Sequence, residues 1–268
     1  MRENHVPLTL EGKETFEITC MMRSGSTLLC RLFDSHPNVI STSESQPMGL
    51  KILPSDLEKA THICGKKIFT GIPYRSAITN VTISKRIYIF RDPYCQFNSL
   101  KNMRIKMNHA GKIQQGNLNF GPKGGLPKGR TTTDLVLNCA INCLTMYNAM
   151  ILDLVKSDAP TYIIWYNDLI DDTIGTMNQL FDFIGLEAYD ANLDSPPKIK
   201  GLFSGDPTGR ASTKINEKKA INPEIKELLD TFFNISSLID QFPLTGLLDQ
   251  KYRESIFNSF SSVLEGVL

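Results

Sequence analysis

The sequence predicts an α/β domain in which helices flank a central, mainly parallel β-sheet, and three stretches carry that prediction. Phe16 to Met22 (FEITCMM) reads as a buried strand, followed by the polar turn Arg23-Ser24-Gly25-Ser26-Thr27 and a helix from about Thr27 to Ser35, halted before Pro37. Arg86 to Phe90 (RIYIF) is β-branched and aromatic without polar alternation, as in a strand covered on both faces, and a helix follows from Tyr94 to about Arg104. Thr161 to Trp165 repeats the pattern ahead of a helix over Asp171 to Ile184. Strands alternating with helices imply parallel pairing and three layers.

Length and composition fit one domain over residues 1–268. At 41% hydrophobic content such a chain buries a substantial core. A net charge of +1 argues against a general nucleic-acid binder, so any attraction for anions has to be local. Six cysteines without a CxxC pair read as buried free thiols rather than a disulfide frame or zinc site. Met1 to Gly12 lacks the apolar centre of a secretory signal, and nothing approaches the ~18 apolar residues that cross a bilayer. The expectation is a cytoplasmic protein without a membrane span.

The first turn is the element that points to chemistry. A strand that feeds a helix through Arg23 to Thr27 aims the helix-start amides at one point and adds two hydroxyls and a guanidinium, which makes an anion site. Against the P-loop pattern Gly-x-x-x-x-Gly-Lys-Ser/Thr, the chain offers Cys20, Gly25, Ser26 and Thr27, so the first Gly is Cys and the Lys is Ser. Arg23 replaces the missing cation, and its planar fork suits two oxygens of one phosphate or sulfonate.

Further along, Glu44 reads either as a first-turn helix acid or as a carboxylate returning to the mouth of this loop. A polar helix over Pro54 to Thr61 and a short strand over Lys67 to Thr70 are expected; Lys66, Lys67 and Arg75 are secondary anion contacts. Arg91 lies where the second strand ends, at the edge where open α/β sheets place ligands. Ser99 joins it if the helix folds back beside the strand end. Asp92 stands where P-loop enzymes carry a magnesium-binding acid, although a preceding Arg suits a second anion better.

The stretch 101–130 holds seven Lys or Arg and no acid, and reads as a basic insertion that covers a nucleotide, attracts an acidic acceptor, or is merely solvated. Asp134 to Val155 is an amphipathic helix capped by Thr133. Trp165 and Tyr166 are either packing residues or an adenine stack. The Gly205-Asp206-Pro207 turn precedes Arg210 in a loop placed to fold over a nucleotide. The helical C-terminal region, about 220–268, offers a packing face or a homodimer contact.

Taken together, Arg23-Ser24-Gly25-Ser26-Thr27-Leu28 and Arg91-Asp92-Pro93 with Ser99 resemble the two phosphate-binding segments of the sulfotransferases that use 3′-phosphoadenosine 5′-phosphosulfate (PAPS). The His36-Pro37-Asn38-Val39 turn, Tyr166-Asn167-Asp168-Leu169 and the segment Leu180 to Leu186 are similar to further motifs of that family, in the same order. The resemblance implies a P-loop-NTPase-like fold, PAPS as donor and PAP as product, and no metal. It places Arg23 to Leu28 on the 5′-phosphosulfate, Arg91 and Ser99 on the 3′-phosphate, and Tyr166 and Arg210 on the nucleotide. Arg23 and Glu44 become the catalytic pair, with Glu44 standing where the tyrosylprotein-sulfating branch carries its base. Gln46 stands where that branch carries an Arg for its acidic peptide, so the hydroxyl-bearing acceptor stays open among carbohydrate, small metabolite and tyrosine. A P-loop-type nucleotide kinase and a non-catalytic PAPS- or PAP-binding homologue are the alternatives.

Overall fold

The computed structural model describes residues 12–41, 58–69, 82–109 and 149–189, with Cys143, Met146, Tyr147, Pro223, Lys226, Glu227, Asp230, Gly246 and Leu247. Strand β1 (Glu14–Met21) runs through the loop into helix α1 (Ser26–Ser35), and β2 (Val39–Ser41) and β3 (His62–Phe69) follow. Then come β4 (Lys85–Phe90) and α2 (Pro93–His109); helical residues from Cys143 to Val155 precede β5 (Thr161–Trp165). Helix α3 (Tyr166–Asp171), helix α4 (Thr173–Ile184) and β6 (Gly246–Leu247) complete the described elements. Their sheet order is β2-β3-β1-β4-β5-β6, all parallel except β6, which pairs antiparallel with β5.

This is the expected α/β architecture, and its order fixes where a ligand belongs. β1 has β3 on one side and β4 on the other, so the chain changes direction across the sheet at β1. Crevices outside the carboxyl ends of the strands at such a switch point are the binding sites of open α/β sheets. The loop after β1 and Arg91 after β4 both lie there.

Alternation along β1 sorts its side chains between two cores. Phe16, Ile18 and Cys20 face α1 and α4, where they pack with Leu29, Phe33, Leu180 and Phe181. Phe33 meets Phe16 at 4.9 Å and Phe181 at 5.8 Å, both edge-on, and such pairs add ~0.5–1.5 kcal/mol each beyond area burial. On the opposite face Glu17 and Thr19 are also buried. There Asp153 accepts hydrogen bonds from Lys67 Nζ (2.5 Å) and Tyr88 (2.8 Å), while Arg86 lies 3.8 Å from Glu17. Burial pushes the Glu17 carboxyl above its ordinary range, with Lys67 and Arg86 pulling the other way.

Several boundaries differ from the expected ones. β3 begins at His62, five residues before Lys67, because it pairs with β1 along the whole of that strand, from Glu14↔His62 to Met21↔Phe69. Helix α2 runs on to His109, since residues 101–109 hold no Gly or Pro to stop it, and the start of the basic 101–130 stretch is therefore helical. The expected Asp171 to Ile184 helix is α4, which begins two residues later: the separate short helix α3 precedes it and stops at Asp171, and Asp172 caps α4 by accepting the Gly175 N–H at 2.9 Å. Cys20, Cys30, Cys64 and Cys143 are buried free thiols and Cys95 is a half-buried one. Residues 54–57 of the expected Pro54 to Thr61 helix, the rest of the basic stretch and nearly all of the C-terminal region lie outside the described residues.

Candidate functional site

The turn after β1 is built around two left-handed residues, Arg23 at φ 67° and Gly25 at φ 97°. For Arg23 this is a strained conformation, of the kind that persists at binding sites where the surroundings enforce it. The first intrahelical bond runs from Leu29 N–H to Gly25 O at 3.2 Å, so the amides of Ser26, Thr27 and Leu28 head the helix without helical acceptors. Gly25 supplies no side-chain cap and the first turn of α1 holds no acid, which leaves the positive end of the helix uncompensated. Beside it, the fully buried Ser24 Oγ and the buried Arg91 Nε find no hydrogen-bond partner among the described residues. Buried polar atoms are normally satisfied, and these two fit a cradle for an anion.

The second segment holds the loop from below. Arg91 Nη1 donates to the carbonyl of Arg23 at 3.0 Å, and Gln96 Nε2 donates to that of Met22 at 2.8 Å. In return Arg23 Nε donates to Ser99 Oγ at 3.2 Å. Helix α2 thus folds back beside the strand end, as an Arg91–Ser99 site requires, but the guanidinium bonded to Ser99 is that of Arg23. Tyr147 donates its hydroxyl to the Arg91 carbonyl, and burial drives that phenol's pKa well upward.

Asp92 has a structural task. Its Oδ1 accepts the Cys95 N–H at 2.8 Å, an N-cap with Pro93 at the first helical position. Among the described residues no group of three His, Cys, Asp or Glu side chains stands in a metal-binding cluster.

Two residues carry more than the sequence revealed. Lys66, 3% exposed on β3, donates from Nζ to Thr27 Oγ1 at 3.3 Å, which puts a buried ammonium behind the loop. In the P-loop pattern the hydroxyl of that Ser/Thr ligates magnesium; here it accepts from a lysine. Tyr166, buried at the start of α3, lies under the Arg91 guanidinium, 4.4 Å from ring centroid to Cζ. Trp165 is half-buried against Phe90 at 5.9 Å. Leu28 packs against the core, so its amide rather than its side chain belongs to the site. Glu44 and Arg210 lie outside the described residues.

The sheet order and this loop together define an α/β protein of phosphate-loop type. Solved structures similar to it are sulfotransferase domains. The one from the curacin biosynthetic pathway has 16% identity and a TM-score of 0.49, over 93% of this chain and 98% of that one. Mouse sulfotransferase SULT7A1, solved in complex with PAP, has 14% identity and a TM-score of 0.44 over 93% and 89%. A sulfotransferase from Alicyclobacillus acidocaldarius has 10% identity and a TM-score of 0.44 over 84% and 93%. No protein-family model matches the chain, and no curated protein does.

Proposed function

We propose that this chain is a PAPS-dependent sulfotransferase that moves a sulfuryl group to an acceptor hydroxyl by in-line displacement. The observation that carries the reading is the set of three cations around this loop: Lys66 bonded to Thr27 at an uncompensated helix start, Arg91 bonded to the Arg23 carbonyl, and Arg23 bonded to Ser99. Two cationic positions at the ends of the neighbouring strands β1 and β4 suit a nucleotide with separate phosphates at its 5′ and 3′ ends.

PAPS supplies the activated sulfuryl group. The acceptor oxygen forms a bond to sulfur as the bond from sulfur to the bridging phosphate oxygen breaks, and the acceptor proton passes to Glu44. Negative charge grows on the bridging oxygen. Arg23, the Ser26 and Thr27 hydroxyls and the amides at the start of α1 stabilise it, with Lys66 acting through Thr27. A general base in the position of Glu44 is typically worth ~10²–10⁴ in rate. The Lys66–Thr27 bond and the capping role of Asp92 weigh against the magnesium-dependent kinase alternative. We place the reaction in the cytoplasm, with a carbohydrate, small metabolite or tyrosine as acceptor; no described helix is long and apolar enough to cross a membrane.

The test is a thermal-shift screen with PAP, ATP and GTP, each with and without magnesium. A ligand at ~100 times its Kd stabilises by roughly 2.7 kcal/mol. Stabilisation by PAP, unchanged by magnesium and lost in Arg91→Ala, is the expected result. Stabilisation by ATP with magnesium but not by PAP overturns the reading in favour of a kinase. Sulfate transfer abolished in Glu44→Gln with PAP affinity retained separates an enzyme from a non-catalytic binding protein.

A further inference from the structure

Tyr166 touches both halves of the site at once. Its ring presses on the loop so closely that a Cβ built on Gly25 would stand 2.2 Å from Tyr166 Cδ2 and 2.5 Å from Cε2. The Arg91 guanidinium sits 4.4 Å from the centroid of the same ring, within the range of a cation–π contact. The side chain is 6% exposed, so both contacts are made away from water, where such an attraction is strongest. Arg91 then reaches the Arg23 carbonyl, which closes a ring of contacts from Gly25 through Tyr166 and Arg91 back to the loop.

We infer that Tyr166 is a positioning residue: its ring fixes the angle of the Arg91 guanidinium relative to the loop, and so sets the distance between the two anion positions. This rests on the bis-phosphorylated nucleotide proposed above and gives Tyr166 a role other than stacking on a base. With Arg91 over the ring and Gly25 against it, the two contacts that hold the phosphate-binding groups already occupy the aromatic surface. Tyr166 opens α3 directly after β5, at the sheet's carboxyl edge, so the rigid strand end sets the ring's place.

The two roles are told apart by a probe that has no base. Isothermal titration of PAP and of inorganic pyrophosphate is run on the wild type, Tyr166→Leu and Tyr166→Phe. A positioning ring predicts that Tyr166→Leu weakens both probes, PAP, which spans both positions, by about tenfold or more and pyrophosphate, which occupies one, by less, and that Tyr166→Phe binds both within about twofold of the wild type. Loss confined to PAP overturns the inference in favour of a base-stacking residue, and unchanged affinity for both overturns it outright. If the wild type takes pyrophosphate and not PAP, the nucleotide reading falls while the pyrophosphate arm still decides the role of Tyr166. Should neither probe bind, amide exchange decides. Faster exchange of residues 22–27 in Tyr166→Leu than in Tyr166→Phe, with α4 equally protected in both, supports the inference, and equal exchange in the loop refutes it.

Discussion

Replacing Gly25 by alanine puts the loop geometry under a direct test. The residue sits at φ 97°, where an L side chain is strained, at a cost of roughly 1–2 kcal/mol. The added methyl would also stand 2.2 Å from Tyr166 Cδ2, against the ~3.5–4.0 Å at which carbon atoms pack. Either the ring or the loop has to shift by more than an ångström, and overpacking of that kind costs about 1–3 kcal/mol. Together Gly25→Ala should destabilise by ~2–5 kcal/mol, a large part of the 5–15 kcal/mol that holds an ordinary domain. The clash part depends on the ring, so it disappears when the ring is removed first. Urea unfolding of the wild type, Gly25→Ala, Tyr166→Leu and the double variant gives the coupling directly. The expectation is a Gly25→Ala cost in the Tyr166→Leu background of only the ~1–2 kcal/mol backbone part. Additive costs would refute the contact between ring and loop, and a Gly25→Ala protein as stable as the wild type would refute the left-handed turn itself.

Two further outcomes follow from groups remote from the site. His36 accepts the Asn38 N–H at Nδ1 (3.1 Å), and His62 donates from Nε2 to the Ile184 carbonyl (3.2 Å) while Thr61 donates to its Nδ1 (2.8 Å), so both rings are held neutral. Burial lowers both from the ordinary 6.5, hence their contribution is present above pH 6.5 and lost as pH falls through the folded values. The urea midpoint should therefore drop between pH 7.5 and 5.5, and His36→Gln with His62→Gln should flatten that drop. Glu17, raised by burial, gains stability in the opposite direction, so Glu17→Gln should steepen the loss. At α4, Gly175→Ala would ordinarily gain about 1 kcal/mol of helix propensity, but the new Cβ would lie 2.1 Å from Asp172 Oδ2 and expel the cap. It should be neutral or destabilising in the wild type and stabilising in Asp172→Ala, as read from the two melting temperatures.

What the sequence disclosed, and what it hid, divides along a physical line. The loop was legible because its backbone restricts which residues serve: Gly25 at positive φ, hydroxyls at the helix start, a buried strand before it and an amphipathic helix after it. Pro93 and the apolar run before Arg91 marked the second segment in the same way. Lys66 was legible only as one of three secondary anion contacts, without its partner, and Gln96 left no trace. Lys66 meets Thr27 only because β3 lies beside β1, and Gln96 meets the Met22 carbonyl only because α2 crosses under the loop. The polar face of β1 was hidden for the same reason: Lys67 reads as a secondary anion contact, and no partner is visible for Glu17 or Arg86 until Asp153 and Tyr88 are placed among them. Asp172 is different, because an Asp immediately before Thr173 is a local cap signal that the continuous apolar periodicity of 171–184 obscured.

The same contacts give the site a property that neither segment has alone. Arg91 grips the backbone of Arg23, and the side chain of Arg23 reaches Ser99 on the helix that Arg91 introduces, so each cation is held by the other's segment. On the proposed reading, a phosphate at one position would therefore act on groups that belong to the other, and residues that share partners in this way do not contribute additively. On the proposed nucleotide reading, a ligand with both phosphates would engage the whole circuit, whereas one with a single phosphate would engage half of it and leave the other half's contacts to hold the cations. Discrimination between such ligands would then rest on the β1–β4 junction, through the spacing of two strand ends.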